Sequence, residues 1–177
     1  MPASKLSAMR FLKKGFARVR CEQCRSEIFV AFSCKGRGFC PSCGGRRMAA
    51  TAAHLEDSVL PDVPVRQWVL SLPHDIRFAL GYDPRLLSRV RRCFLRKLMS
   101  FLRRHARQEC ILGGHPGAIC FVQRFDSALR LNPHFHVLAL DGVFVVENDG
   151  FVRFHETRPP SDAAVARLNE RIARAVR

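Results

Sequence analysis

The sequence predicts an α+β fold in two parts: a small cysteine-rich module over residues 1–60 and, over residues 61–177, an antiparallel sheet with packed helices. Three observations carry that expectation. Five of the eight cysteines lie between Cys21 and Cys43, one long amphipathic pattern follows Asp83-Pro84, and the stretch after Gly117 is a series of short β-forming runs separated by turn residues. At 47 % apolar residues the 177-residue chain can build a core. No apolar run approaches the roughly 18 to 20 residues that span a bilayer, and the longest, such as residues 28–32, are strand-sized. No membrane partner is expected. Phe11 and Leu12 run straight into Lys13 and Lys14, which leaves no apolar segment for a secretory signal, so the protein reads as cytoplasmic.

The cysteine spacing is the strongest local signal. Cys21-Glu-Gln-Cys24 and Cys40-Pro-Ser-Cys43 are two C-x2-C knuckles fifteen residues apart, the arrangement that brings four thiolates around a tetrahedral zinc in a reducing compartment. Structural zinc would hold together a segment too small to fold on its own apolar area. Each knuckle is expected in a tight turn, the second fixed by Pro41, with residues 26–32 as a strand between them. The bland alternative is a set of buried thiols packing as small hydrophobes. Cys34 either replaces one ligand or sits beside the site, and Cys93, Cys110 and Cys120 read as core. Lys35, Arg37, Arg46 and Arg47 lie close enough in sequence to offset thiolate charge and to contact phosphates.

Beyond the knuckles, residues 48–60 are alanine-rich and helical in character, and Pro61 and Pro64 bracket a module boundary. Residues 65–72 read as a strand around Trp68, ended by Pro73. Tyr82 is expected in the loop before the long helix, which Asp83 caps, Pro84 opens and Arg107 closes, with Leu87, Val90, Phe94, Leu98 and Phe101 at steps of three or four. Arg85, Arg89, Arg92, Arg96 and Arg103 share its other side, either as a phosphate track or as an ordinary solvated face. Residues 113–117 are a loop, residues 118–125 a strand, and residues 134–140 a second strand. Asp141-Gly142 signals a hairpin that would pair residues 134–140 with 143–146. Asn148-Asp149-Gly150 turns the chain again into a strand at 151–154, and Ser161 caps a last helix carrying Val165, Leu168, Ile172 and Val176. That helical pattern is still running at Arg177, as in a truncated frame or fragment.

Thirty basic against fifteen acidic residues leave a net charge of +15, and the first fifty residues hold eleven basic and only two acidic side chains. Such an excess gains free energy by releasing a polyanion's counterions, which makes nucleic acid the expected partner. Within Asn132-Pro133-His134-Phe135-His136-Val137, strand alternation sends both imidazoles to one face and Phe135 and Val137 to the other. Two imidazoles side by side are a half-site for a divalent metal, with Gln123 on the preceding strand as the candidate third ligand. Read on spacing alone, they are two satisfied, solvent-facing strand histidines sooner than a metal site. Asp126 is either a further ligand or a turn residue.

Residues 21–43, the phrase Phe121-Val122-Gln123-Arg124-Phe125 and residues 131–143 together resemble the two-tyrosine HUH transposases of bacterial insertion sequences. The resemblance covers nearly the whole chain. It implies a zinc-binding domain followed by an HUH catalytic palm, in which His134 and His136, with a third polar ligand, hold magnesium or manganese against the scissile phosphate of single-stranded DNA. It implies transposon ends as partner, the nucleoid as place of action, and cleavage through a 5′-phosphotyrosine. The family's nucleophile belongs to a tyrosine pair downstream of the histidines, and the one tyrosine of this sequence, Tyr82, lies upstream. The palm is therefore expected to be incomplete and the chain inactive alone. Two other readings share some of these residues: a zinc-dependent nucleic-acid-binding protein without catalytic ancestry, and a related HUH relaxase or replication initiator.

Overall fold

The computed structural model describes residues 16–20, 24–31, 41–126 and 130–176. The chain divides into two compact units, Met1–Pro61 and Asp62–Arg177. In the first, β1 (Phe16–Arg20) pairs antiparallel with β2 (Glu27–Ala31), with Arg20 opposite Glu27. Arg18 and Arg20 both reach the Glu27 carboxylate across this pair. The first knuckle falls in the β1–β2 connection, where Cys24 is exposed and its Sγ lies 3.0 Å from the Ser26 hydroxyl. Cys21, Cys34, Cys40, Lys35 and Arg37 lie outside the described residues.

Helix α1 (Pro41–Ser58) starts seven residues before the expected helix, so Pro41 and Cys43 belong to its first turn and not to a separate tight turn. Proline suits the first helical position, since its missing N–H has no partner there anyway. Gly44-Gly45, each worth about 1 kcal/mol against helix, hides this start in the sequence.

The second unit is built around a three-stranded antiparallel sheet in the order β3 (Val65–Ser71), β5 (Leu131–Leu140), β4 (Ala118–Phe125). Between β3 and β4 run α2 (His74–Tyr82) and α3 (Pro84–Gln108). Asp83 caps α3 as expected, its carboxylate accepting from the backbone N–H groups of Arg85 at 2.8 Å and Leu86 at 3.0 Å. The apolar stripe Leu87, Val90, Phe94, Leu98 and Phe101 is buried against the sheet. Phe94 meets Phe135 at a centroid distance of 6.3 Å, and Trp68 meets Phe101 edge-on at 5.8 Å. Helix α4 (Asp162–Val176), capped by Ser161, adds Leu168 and Ile172 to the same core.

Three further expectations change. Tyr82 is not in a loop but is the last residue of α2, a nine-residue helix with Pro73 at its N-cap and no side-chain cap to announce it. Cys110 is exposed at the end of α3, with φ at +63°, while Cys93 is buried and Cys120 half-buried as expected. Burial pushes the Cys120 thiol up, with Arg91 pulling it the other way, so it packs as a neutral side chain. Asp141-Gly142 does not turn a hairpin. Strand β6 (Gly142–Val146) leaves the sheet and pairs with β7 (Val152–Glu156), because β5 already has β3 on one edge and β4 on the other. Asp141 is committed elsewhere, gripping Arg66 through Nε at 2.9 Å and its terminal nitrogen at 2.5 Å. Its backbone N–H also donates to the Pro64 carbonyl. Gly142 is required for close approach: a Cβ there would stand 2.3 Å from the His155 carbonyl oxygen.

The β6–β7 turn forms where expected, held by Asp149. The Arg153 hydrogen bond at 2.7 Å, then the Phe151 backbone N–H at 3.0 Å, keep its carboxyl below the ordinary value of 3.8. Because the folded pKa is the lower one, this support is fully present above pH 3.8 and is lost as pH falls through the folded value. The Phe151 amide shift, followed by NMR, should titrate with a midpoint below 3.8, and Asp149→Asn should flatten that curve.

Candidate metal centre

The centre of the sheet is β5, and its two faces differ sharply. Pro133, Phe135, Val137 and Ala139 are buried against the helices, while Asn132, His134, His136 and Leu138 alternate with them, half-buried, on the open face. Both imidazoles therefore share one side of the strand, with ring centroids 4.9 Å apart and planes at 64°. Register supplies their neighbours. His134 stands opposite Ser71 on β3 and Gln123 on β4, and His136 stands opposite Val69 and Phe121. Cross-strand partners share a face, so Gln123 lies on the histidine side beside His134.

Each ring has one nitrogen engaged. His134 Nδ1 lies 2.6 Å from the Asn132 carbonyl oxygen, which can only accept, so Nδ1 carries the proton and Nε2 keeps a lone pair. His136 Nδ1 lies 2.8 Å from the Gln67 side-chain nitrogen. His136 Nε2 is buried with no hydrogen-bond partner, and so is Asn132 Oδ1. Buried polar atoms without partners are rare in folded proteins, and two of them within five residues of one strand point to a ligand at this face. The donor set suits a divalent cation: two imidazole nitrogens and the amide oxygen of Gln123. Among the described residues no three His, Cys, Asp or Glu side chains converge, so the side chains beside His134 that could add a third ligand are the Gln123 amide and the Ser71 hydroxyl.

Asp126 is a turn residue, accepting from the Arg130 backbone N–H at 3.0 Å and from its side chain at 2.8 Å. The Cys43 and Arg46 side chains are not described, and Arg47 is exposed. Arg89, Arg92 and Arg96 are exposed on α3, together with Arg85, Arg103 and Arg107. At 100° per residue these six form one stripe, directly opposite the buried one and roughly 33 Å long. The sheet and the helix body separate them from the histidines. Spacing alone did not single out Gln67, although its place in the alternation of β3, two residues before Val69, puts it on the histidine face.

A cysteine-rich basic unit joined to an antiparallel sheet with a histidine pair on its open face defines a two-part α+β protein with metal-ligand chemistry in each part. Its relatives are more specific. Residues 3–72 match the transposase zinc-binding domain family, and residues 117–177, which include Gln123, His134 and His136, match a transposase family. The chain belongs to the insertion-sequence transposases that carry an amino-terminal zinc-binding domain. No curated protein and no solved structure matches it. Among the described residues no helix is long and apolar enough to cross a membrane.

The two faces of β5 should respond differently to truncation. Phe135→Ala, at a fully buried site, should cost about 4 kcal/mol in denaturant unfolding, whereas His134→Ala should stay within about 1 kcal/mol.

Proposed function

We propose that this transposase binds the single-stranded ends of its element at the bacterial nucleoid and holds magnesium or manganese between His134, His136 and Gln123, against the phosphate to be opened. The pairing of both imidazoles on one open face, with His136 Nε2 partnerless and Gln123 opposite His134, is the observation that carries this reading. A divalent cation so held supplies positive charge where negative charge grows on the phosphate oxygens. The histidines and Gln123 fix its position from a rigid strand pair, and Phe121 offers the neighbouring base an exposed ring to stack on. Zinc belongs to the other unit, with Cys21, Cys24, Cys40 and Cys43 as its ligands, and Lys35, Arg37, Arg46 and Arg47 as flanking phosphate contacts. Arg89, Arg92 and Arg96 hold duplex or flanking strand on the helical layer.

The family's strand opening needs a tyrosine downstream of the histidines, and residues 1–177 contain only Tyr82. Its ring is 71 % exposed and leans on Phe78 at 4.6 Å. These residues position a phosphate without supplying the family's nucleophile. A second reading, a zinc-dependent DNA-binding protein, is favoured by the lack of three converging His, Cys, Asp or Glu side chains among the described residues.

Incubation with a single-stranded end oligonucleotide and manganese should give no covalent adduct, and an adduct lost in Tyr82→Phe would overturn that assignment. Metal analysis should find two classes of site: manganese lost in the His134→Ala/His136→Ala double variant, and zinc lost when Cys24 and Cys43 become serine. Manganese binding that survives the histidine changes would leave only the binding-protein reading. Changing Arg89, Arg92 and Arg96 to glutamine should weaken DNA binding and lower its salt slope by about 0.7 to 0.9 per lost phosphate contact, with manganese binding unchanged.

A further inference from the structure

Gln67 touches the histidine pair from the strand on its other side, and its role follows from proton positions. The Asn132 carbonyl forces the Nδ1–H form on His134 and leaves Nε2 as a lone pair. A side-chain amide can act either way on His136. Through its NH2 group it donates to Nδ1 and drives the ring proton to Nε2; through Oε1 it accepts from Nδ1–H and leaves Nε2 bare. The two orientations are half a turn of one planar, nearly isosteric group and leave β3 where it is. The far nitrogen decides between them. His136 Nε2 is buried and partnerless, so a proton there would be a stranded donor, whereas a lone pair there is a ligand on the strand face that also carries His134.

We infer that Gln67 is the positioning residue of the metal centre: with its amide turned half a turn from the orientation in which its Nε2 faces the ring at 2.8 Å, Oε1 accepts from His136 Nδ1–H, fixes that tautomer, and so presents two imidazole Nε2 lone pairs to one cation. This rests on the metal reading proposed above. The two rings are then held by unlike partners, a backbone carbonyl within β5 for His134 and a side chain from β3 for His136. Only the second can be altered by substitution without touching β5. Partners of this kind orient metal-bound imidazoles and raise their basicity, and their loss typically costs 10- to 100-fold in metal affinity.

Three variants of the full zinc-loaded chain test it: Gln67→Leu, Gln67→Glu and the double histidine-to-alanine control. Manganese affinity is read by electron paramagnetic resonance, and the His136 tautomer by 15N NMR of the manganese-free protein. Gln67→Leu should weaken manganese binding about 10- to 100-fold and mix the tautomers, while Gln67→Glu, whose carboxylate only accepts, should match or exceed the parent. An Nε2–H ring in the parent, an unchanged affinity in Gln67→Leu, or a Gln67→Glu variant as weak as Gln67→Leu would each overturn the assignment. Manganese lost in the histidine control but indifferent to Gln67→Leu would sink this inference and leave the metal reading standing. A parent with the Nδ1–H tautomer and no manganese binding would sink the metal reading and leave Gln67 as the tautomer lock alone.

Discussion

The register of β5 is the constraint on which the site depends. Side chains on a strand alternate with a period of two, so sliding β5 by one residue would carry Phe135, Val137 and Ala139 into solvent and both imidazoles into the core. The fully buried Phe135 and Val137 make that slip expensive, and strands on both edges leave no free side along which it could begin. The same packing that holds the domain together thus aims the histidines. Stability and site geometry are one property of this strand, since the core face cannot be satisfied in any register that turns the histidines inward.

Pro133 sharpens the point, because proline in a central strand deletes a ladder hydrogen bond and is tolerated mainly at bulges and edges. Here it sits at both. The β4 pairing jumps from Gln123 opposite His134 to Phe125 opposite Leu131, so β5 carries one extra residue across that gap. On the other side β3 pairing stops at Ser71 opposite His134, and no β3 residue faces Pro133. The irregularity lies directly before His134, whose Nδ1 donates to the Asn132 carbonyl two residues back.

Much of this was readable from residue order, and the exceptions share a cause. The amphipathic stripe of α3, its Asp83 cap, the span of β4 and the shared face of the two histidines all follow from local periodicity and capping chemistry, and each is present in the fold. The α+β class follows from the same elements. What sequence misread were residues whose meaning is set by distant partners. Asp141-Gly142 has the composition of a hairpin turn, but Asp141 is claimed by Arg66, 75 residues away, and Gly142 by the backbone of β7. Gly44-Gly45 looks like a break and lies within α1, and α2 starts behind a proline with no capping side chain. Gln67 is invisible for the same reason, since 69 residues separate it from the ring it touches.

The distribution of charge accords with the cation proposed for the histidine face. The side chains that β3, β4 and β5 present there beside the histidines are Gln67, Val69, Ser71, Ile119, Phe121, Gln123, Asn132 and Leu138, with no lysine, arginine or carboxylate among them. The arginine excess of this unit is on the helical layer instead. Loss of hydration, and then repulsion from Arg171, pushes the Arg104 guanidinium below its ordinary value, a sign of positive charge crowded without enough counter-charge. A helix body of about 10 Å and the sheet itself separate that layer from the histidines, so at physiological salt, with a screening length of about 8 Å, the arginines act on nucleic acid at their own surface and contribute little at the rings. On the function proposed above, a phosphate laid on the open face meets imidazoles, amides and an aromatic ring, and the positive charge for phosphoryl chemistry would arrive with a cation seated on those nitrogen and amide donors.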